Sequence, residues 1–128
     1  MTRPAGSLEF EMADVIDFEI IAENIPQVVI VLDRQLQIVW ANKKAAEVAG
    51  QDPVGGTCYR LYQGRETPCQ GCHTLQTFET GATIPNQSTV RYEDGSCRHF
   101  DGFTAVVGRE ADGTISLVAE VAGELPLL

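Results

Sequence analysis

Apolar residues follow several different rhythms along this chain. From Leu8 to Ile25, the residues Leu8, Met12, Val15, Ile16, Phe18, Ile21 and Ile25 recur at threes and fours with acids between them. This is the spacing of an amphipathic helix, broken once. "QVVIVLD", residues 27–33, is instead an unbroken β-branched run, the pattern of a strand buried on both faces. "LQIVWAN" follows a turn at Arg34 and Gln35, so the two strands should pair as a hairpin. Asn42 is placed to cap a helix over "KKAAEVA", and Gly50 to end it in the left-handed conformation.

Residues 51–71 are rich in Gly and Pro and suggest short helical turns joined by loops. Cys72, Leu75 and Phe78 at threes then predict a helix over 72–80 with Gly81 as its stop. The rest reads as strand, "EDGS" turn, strand, "EADG" turn, strand. Five antiparallel strands are therefore expected at 27–33, 36–41, 84–93, 97–108 and 114–122, with helices between the second and third, an α+β fold. The inward parity of "CRHFDGFTAVV" slips between Phe100 and Phe103, which predicts a bulge near Gly102. "MTRPAGS" reads as a disordered leader.

Length and charge narrow the picture further. The 128 residues are enough for one domain with a single core. A net charge of −9 repels phosphate backbones and anionic headgroups, so neither nucleic acid nor a membrane surface is an expected partner. No apolar run approaches the roughly 20 residues that span a bilayer, and the first residues lack the pattern of a secretion signal. The chain is expected to be cytoplasmic, where clustered cysteines are more often metal ligands or redox thiols than disulfides. No nucleophile, base and orienter set and no phosphate-binding loop are visible, so no enzyme activity is expected.

"IIAENIPQVVIVLDRQLQIVWANKKAAEVAGQDPVGGTC" resembles the opening half of PAS sensor domains, through the strand ending in Asp33, the Asn42 cap and Gly50. "FETG" before the third strand and the "DG" turns at Asp94 and Asp112 extend the resemblance to about Gly123. It implies a PAS-like five-stranded antiparallel sheet with helices packed on one face around a ligand or cofactor pocket, in a module that senses and relays. The chain divides accordingly into a leader and N-terminal helix (1–19), a sensory domain (20–123) and a tail (124–128). Trp40, Tyr59, Tyr62, Phe78, Phe100 and Phe103 would suffice to line such a pocket, although their default place is the core. A homodimer packed partly through the N-terminal helix is expected, with a signalling effector domain or protein as the further partner.

Two departures stand out. The terminal "VAGELPLL" lacks the Asp-Ile-Thr cap by which many family members enter a signalling helix, and Pro126 would interrupt a helix there. The chain is thus either a stand-alone domain or separated from its effector. The Asn-Cys-Arg-Phe context of flavin photoreceptors is missing as well, which argues against a light-driven flavin adduct.

Cys58, Cys69 and Cys72 are the chain's most pointed chemistry, separated by ten residues and then by two. Free cysteine behaves as a small hydrophobe and can simply be buried. Cys69, however, lies in the polar segment "TPCQGC", and two intervening residues let the sulfurs of Cys69 and Cys72 approach one ion or cluster. A subset of PAS domains carries the same arrangement, and that resemblance implies an iron-sulfur cluster or Zn²⁺ held by cysteines, reporting redox state or oxygen. A redox-active Cys69/Cys72 dithiol and inert thiols with no cofactor remain open readings.

Cys97 is the candidate fourth ligand. A helix over 72–80 spans about 13 Å, and the strand after it runs back about 30 Å. The hairpin tip then overshoots the helix start and brings Cys97 towards Cys72. His73 and His99 are the alternatives. Haem on His73 is a lesser one, since haem-binding members carry an axial histidine on this helix.

Overall fold

The computed structural model describes residues 16–92 and 94–125. The leader, the first half of the N-terminal amphipathic segment and Pro126 lie outside the described residues. The elements run α1 (Phe18–Asn24), β1 (Val28–Leu32), β2 (Ile38–Ala41), α2 (Lys43–Ala49), α3 (Cys58–Gln63), α4 (His73–Thr80), β3 (Ile84–Arg91), β4 (Cys97–Arg109) and β5 (Ile115–Glu124). The strands form one antiparallel sheet in the order β2-β1-β5-β4-β3. The first strand therefore lies beside the last. This explains the unbroken apolar run of β1, which is flanked on both edges and buried at four of its five positions.

Local chemistry sets the joints. Asp33 Oδ1 accepts from the backbone N–H of Gln35 and Gln37 at 2.9 Å, closing the β1–β2 turn. Asn42 caps α2 as expected, accepting from Ala45 N at 3.0 Å, and Gly50 ends it at φ 72°. The buried Asn42 side chain does more than cap. Its oxygen also accepts from Val29 N at 3.1 Å, and its amide donates to Ala22 O at 2.9 Å and Gln27 O at 2.8 Å. One side chain thus joins the end of α1, the start of β1 and the first turn of α2.

The core is divided. Val28, Ile30, Leu32, Ile38, Ala45, Val48, Tyr62, Val90, Phe100 and Ala122 form one apolar cluster. Phe78, Ile115 and Val118 form a second, smaller one with Val106 packed against it. Between them α4 is seated by polar contacts, with Thr77 Oγ1 2.6 Å from Thr104 Oγ1 and donating to Ala82 O at 2.9 Å.

Two sequence expectations need correction. β4 pairs with β3 and β5 without a break at Gly102, and the register shifts lie between Val106 and Arg109. Phe103 is 41% exposed, so the parity never slips at that point; Phe100 and Thr104 face inward and Gly102 falls between them. Gly102 answers a different need, because a Cβ there would be driven into the Val121 carbonyl of the neighbouring strand. The inner face of α4 also differs. It consists of Thr74, Thr77 and Phe78, while Leu75 is exposed, because buried threonines with hydroxyl partners occupy positions that an apolar count assigns elsewhere.

Candidate functional site

A cavity of about 310 Å³ opens between the sheet and the segment from α3 to α4. Its walls come from five places: Cys58, Tyr59 and Tyr62 on α3, the turn Cys69–Cys72, His73 and Thr74 at the start of α4, the polar stretch Asn86–Thr89 of β3, and Glu120 of β5. Chain direction explains why the cysteines meet. Cys58 opens α3, the chain leaves α3 through Gly64 at φ 63°, and Gly71 at φ 66° turns it between Cys69 and Cys72 into α4. Cys72 occupies the N-cap position of α4. Cys58 therefore lines the same space as the later pair Cys69 and Cys72. Cys97 is not among them; it is exposed at the start of β4, paired with Arg91. The overshoot of the hairpin carries it past the cavity, whose β3 wall ends at Thr89. His73 lines the cavity, and His99 turns to Thr89, with Nδ1 3.0 Å from the Thr89 hydroxyl.

Glu120 is the residue that sequence reasoning missed. It sits on β5, paired with Ile30 of β1 and Thr104 of β4, and points between the inward residues Val118 and Ala122. A lone acid at inward parity in "SLVAEVAG" was the available signal. Burial pushes its carboxyl above the usual carboxylate range, and among the described residues no hydrogen bond or cation offsets it. The consequence spreads. Burial first, then Glu120 and the neighbouring cysteines, hold the proton on Cys58 far above the ordinary thiol range. Burial and Cys72 push Cys69 up as well, against the pull of Arg65. Burial and Glu120 also raise Tyr62, whose hydroxyl donates to Ala45 O at 2.9 Å. These groups discourage one another from ionising, so the cavity disfavours added negative charge.

The donor set has thiol chemistry suited to a soft metal, but its disposition does not fit a single ion. Among the described residues no group of three or more His, Cys, Asp or Glu side chains stands close enough to hold one.

The Glu120 carboxyl gives a direct prediction. Its pKa is raised in the folded state, so its stabilising contribution is fully present below the unfolded value and is lost as pH rises through the folded value. Glu120→Gln removes that loss. The variant should be more stable than wild type at pH 7 to 8, by about 1 kcal/mol, the lower end of the scale for an uncompensated polar group, because Glu120 is only partly buried. The difference should vanish near pH 4. Urea unfolding of both proteins across this range measures it, and equal stabilities at pH 8 would contradict it.

The model of the PAS fold matches residues 22–124, and the chain belongs to that family. No curated protein matches. Solved structures agree on the fold. VqmA from Vibrio cholerae, described as a dimer, aligns at a TM-score of 0.65 and 19% identity, covering 87% of this chain and 52% of that one; VqmA has also been solved bound to DPO. This chain thus spans about half the length of VqmA. The PAS domain of nitrogen regulation protein NR(II) from Vibrio parahaemolyticus aligns at 0.67 and 16% identity, covering 87% and 100%. An RNA-binding light-oxygen-voltage receptor aligns at 0.70 and 15% identity, covering 97% and 36%. The sequence expectation of a five-stranded PAS-like fold is thereby met. Among the described residues no helix is long and apolar enough to cross a membrane.

Proposed function

We propose that this chain is a cytoplasmic sensory module that takes a small ligand into the cavity beneath α3 and α4 and passes the change to a homodimeric partner or an effector. The observation that carries this reading is the cavity itself, about 310 Å³ and lined by polar side chains and a partly buried acid on the central strand β5. A volume at the lower end of the usual range for ligand sites suits a metabolite-sized molecule. β5 pairs with both β1 and β4, so a group bound at Glu120 acts on the middle of the sheet. VqmA, similar in fold, is described as bound to DPO and as a dimer, which supports the same assignment. α1 offers Phe18, Ile20 and Ile21 to a second copy, Phe18 being 75% exposed. The reading is of a sensor and not of a catalyst.

A cysteine-held metal or iron-sulfur centre reporting redox state or oxygen is the second reading; Cys58, Cys69 and Cys72 line one space, and they would have to draw closer together to share an ion or cluster. Cys97 has no place in it. The Cys69/Cys72 dithiol is less favoured, since the upward shift of Cys69 works against the thiolate that exchange requires.

Native mass spectrometry on protein purified without oxygen reads ligand, metal and assembly together. The expected result is a dimer that retains a small molecule, or gains one from a metabolite library, and loses it when Ser88→Trp fills the cavity. Stoichiometric iron, zinc or sulfide lost in Cys58→Ser, Cys69→Ser and Cys72→Ser, and retained in Cys97→Ser, would install the second reading instead. A chain that takes up neither would be a plain interaction module.

A further inference from the structure

We infer that the cavity is a receptor site for a small organic amine, its ammonium paired with Glu120 and an apolar substituent directed into the adjoining core. The inference rests on the ligand-binding reading above and names the ligand's chemistry.

Glu120 is the first observation. Its carboxyl stands on the central strand, partly buried, where the cavity meets a second space, and among the described residues no hydrogen bond or ion pair engages it. A partly buried carboxylate without a partner is costly, and a ligand that brings the missing cation removes the cost. The rest of the wall accommodates that charge. Among the described residues no Lys or Arg lines the cavity, and His73 is its one basic side chain. Acceptor oxygens are supplied by Gln63, Asn86, Ser88 and Thr89, and Tyr59 and Tyr62 contribute aromatic surface of the kind cations favour. An anionic ligand would meet Glu120 and a ring of thiols, with His73 as the one basic side chain among the described lining residues.

A second observation fixes the apolar part. A smaller pocket of about 30 Å³, lined by Val28, Val48, Val90 and Phe100 among others, adjoins the cavity. Tyr62, Gln63, Ser88 and Glu120 line both spaces. Glu120 therefore stands at a junction, polar on the open side and apolar behind. Room for about two water-sized groups admits the end of an alkyl chain or the edge of a ring. A ligand with a charged amine and a short hydrocarbon portion complements both sides. A polyhydroxylated neutral molecule would leave the apolar recess unfilled.

The test keeps the hydrocarbon constant and varies the charge. Isothermal titration calorimetry is run with two sets of probes: 3-methylbutylamine, 3-methylbutanol and 4-methylpentanoate, and 2-phenylethylamine, 2-phenylethanol and 3-phenylpropionate. The proteins are wild type, Glu120→Gln and Ser88→Trp. The expected result is amine binding with a Kd tighter than about 1 mM, at least tenfold stronger than the matching alcohol or carboxylate. Glu120→Gln should weaken amine binding at least tenfold and leave alcohol binding unchanged, while Ser88→Trp removes both. Circular dichroism and thermal melts establish that both variants are folded. Alcohols or carboxylates that bind as well as the amines would overturn the inference and leave the ligand-binding reading intact. So would amines that bind Glu120→Gln as tightly as wild type. If no amine binds wild type at this level, the inference also fails, and the metabolite screen decides separately whether the cavity takes any ligand.

Discussion

Asn42→Ala should lower stability by about 3 kcal/mol, the combined scale of a lost helix cap and several buried hydrogen bonds. Asn42 is 1% exposed and makes four hydrogen bonds: it accepts from Val29 N and Ala45 N, and donates to Ala22 O and Gln27 O. Alanine leaves all four backbone groups in place without the partner, and the Val29 and Ala45 amides are buried where solvent does not replace it. Asn42→Asp separates the two halves of the network. It keeps the acceptor that caps α2 but sets a carboxylate against two carbonyl oxygens, so at neutral pH it should recover little of the loss. Urea unfolding of the three proteins measures this. An alanine variant within about 0.5 kcal/mol of wild type, the range of ordinary surface substitutions, would show that the network contributes nothing net.

Gly102→Ala should be at least as damaging, for a steric reason rather than a polar one. Its new Cβ would be driven into the Val121 carbonyl oxygen and would lie 2.7 Å from the carbonyl carbon of Val121 and 2.8 Å from Ala122 Cα. These atoms belong to the backbone of β5, so relief requires separating β4 from β5 where Gly102 pairs with Ala122. Gly56→Ala is the comparison. There the close atom is Leu61 Cδ1, the end of a side chain that can turn aside. Loss of cooperative folding, or destabilisation of about 3 kcal/mol or more, is expected at Gly102. A markedly smaller loss is expected at Gly56. Thermal and urea melts of the two variants decide it; similar small losses in both would mean that β4 and β5 are not paired this closely.

The parts of this molecule that were legible beforehand are those where one residue type answers one local need. The β-branched run of β1 specifies a doubly flanked strand, and Asn42 and Gly50 bracket α2 because capping and positive φ each favour few residues. The four places that misled share another cause, namely that the deciding neighbour is distant in sequence. Gly102 suggested a bulge, but its reason lies on β5. Leu75 counted as core because the Thr77–Thr104 hydroxyl pair could not be anticipated from one helix alone. Cys97 was placed by ideal strand lengths, which carry no information about where the cavity wall ends. Glu120 was visible as an acid at inward parity, yet its meaning depends on a helix roof contributed by residues 58 to 74.

The divided core has a consequence for how the molecule comes apart. Tyr62 anchors the roof to the larger apolar cluster and Phe78 to the smaller one, with the polar cavity between these two attachments. Apolar burial near Phe78 is modest, and Thr77 and Thr104 hold that end partly through hydroxyls that water can replace. The span from α3 to α4 can therefore release from the sheet in one local opening while the β1–β5–β4 ladder stays zipped, as a subglobal unit of low stability. Amide protons in α4 would then exchange with solvent well before those of β5. An occupant that touches both the roof and Glu120 would slow that exchange, converting the presence of a molecule into the persistence of a surface.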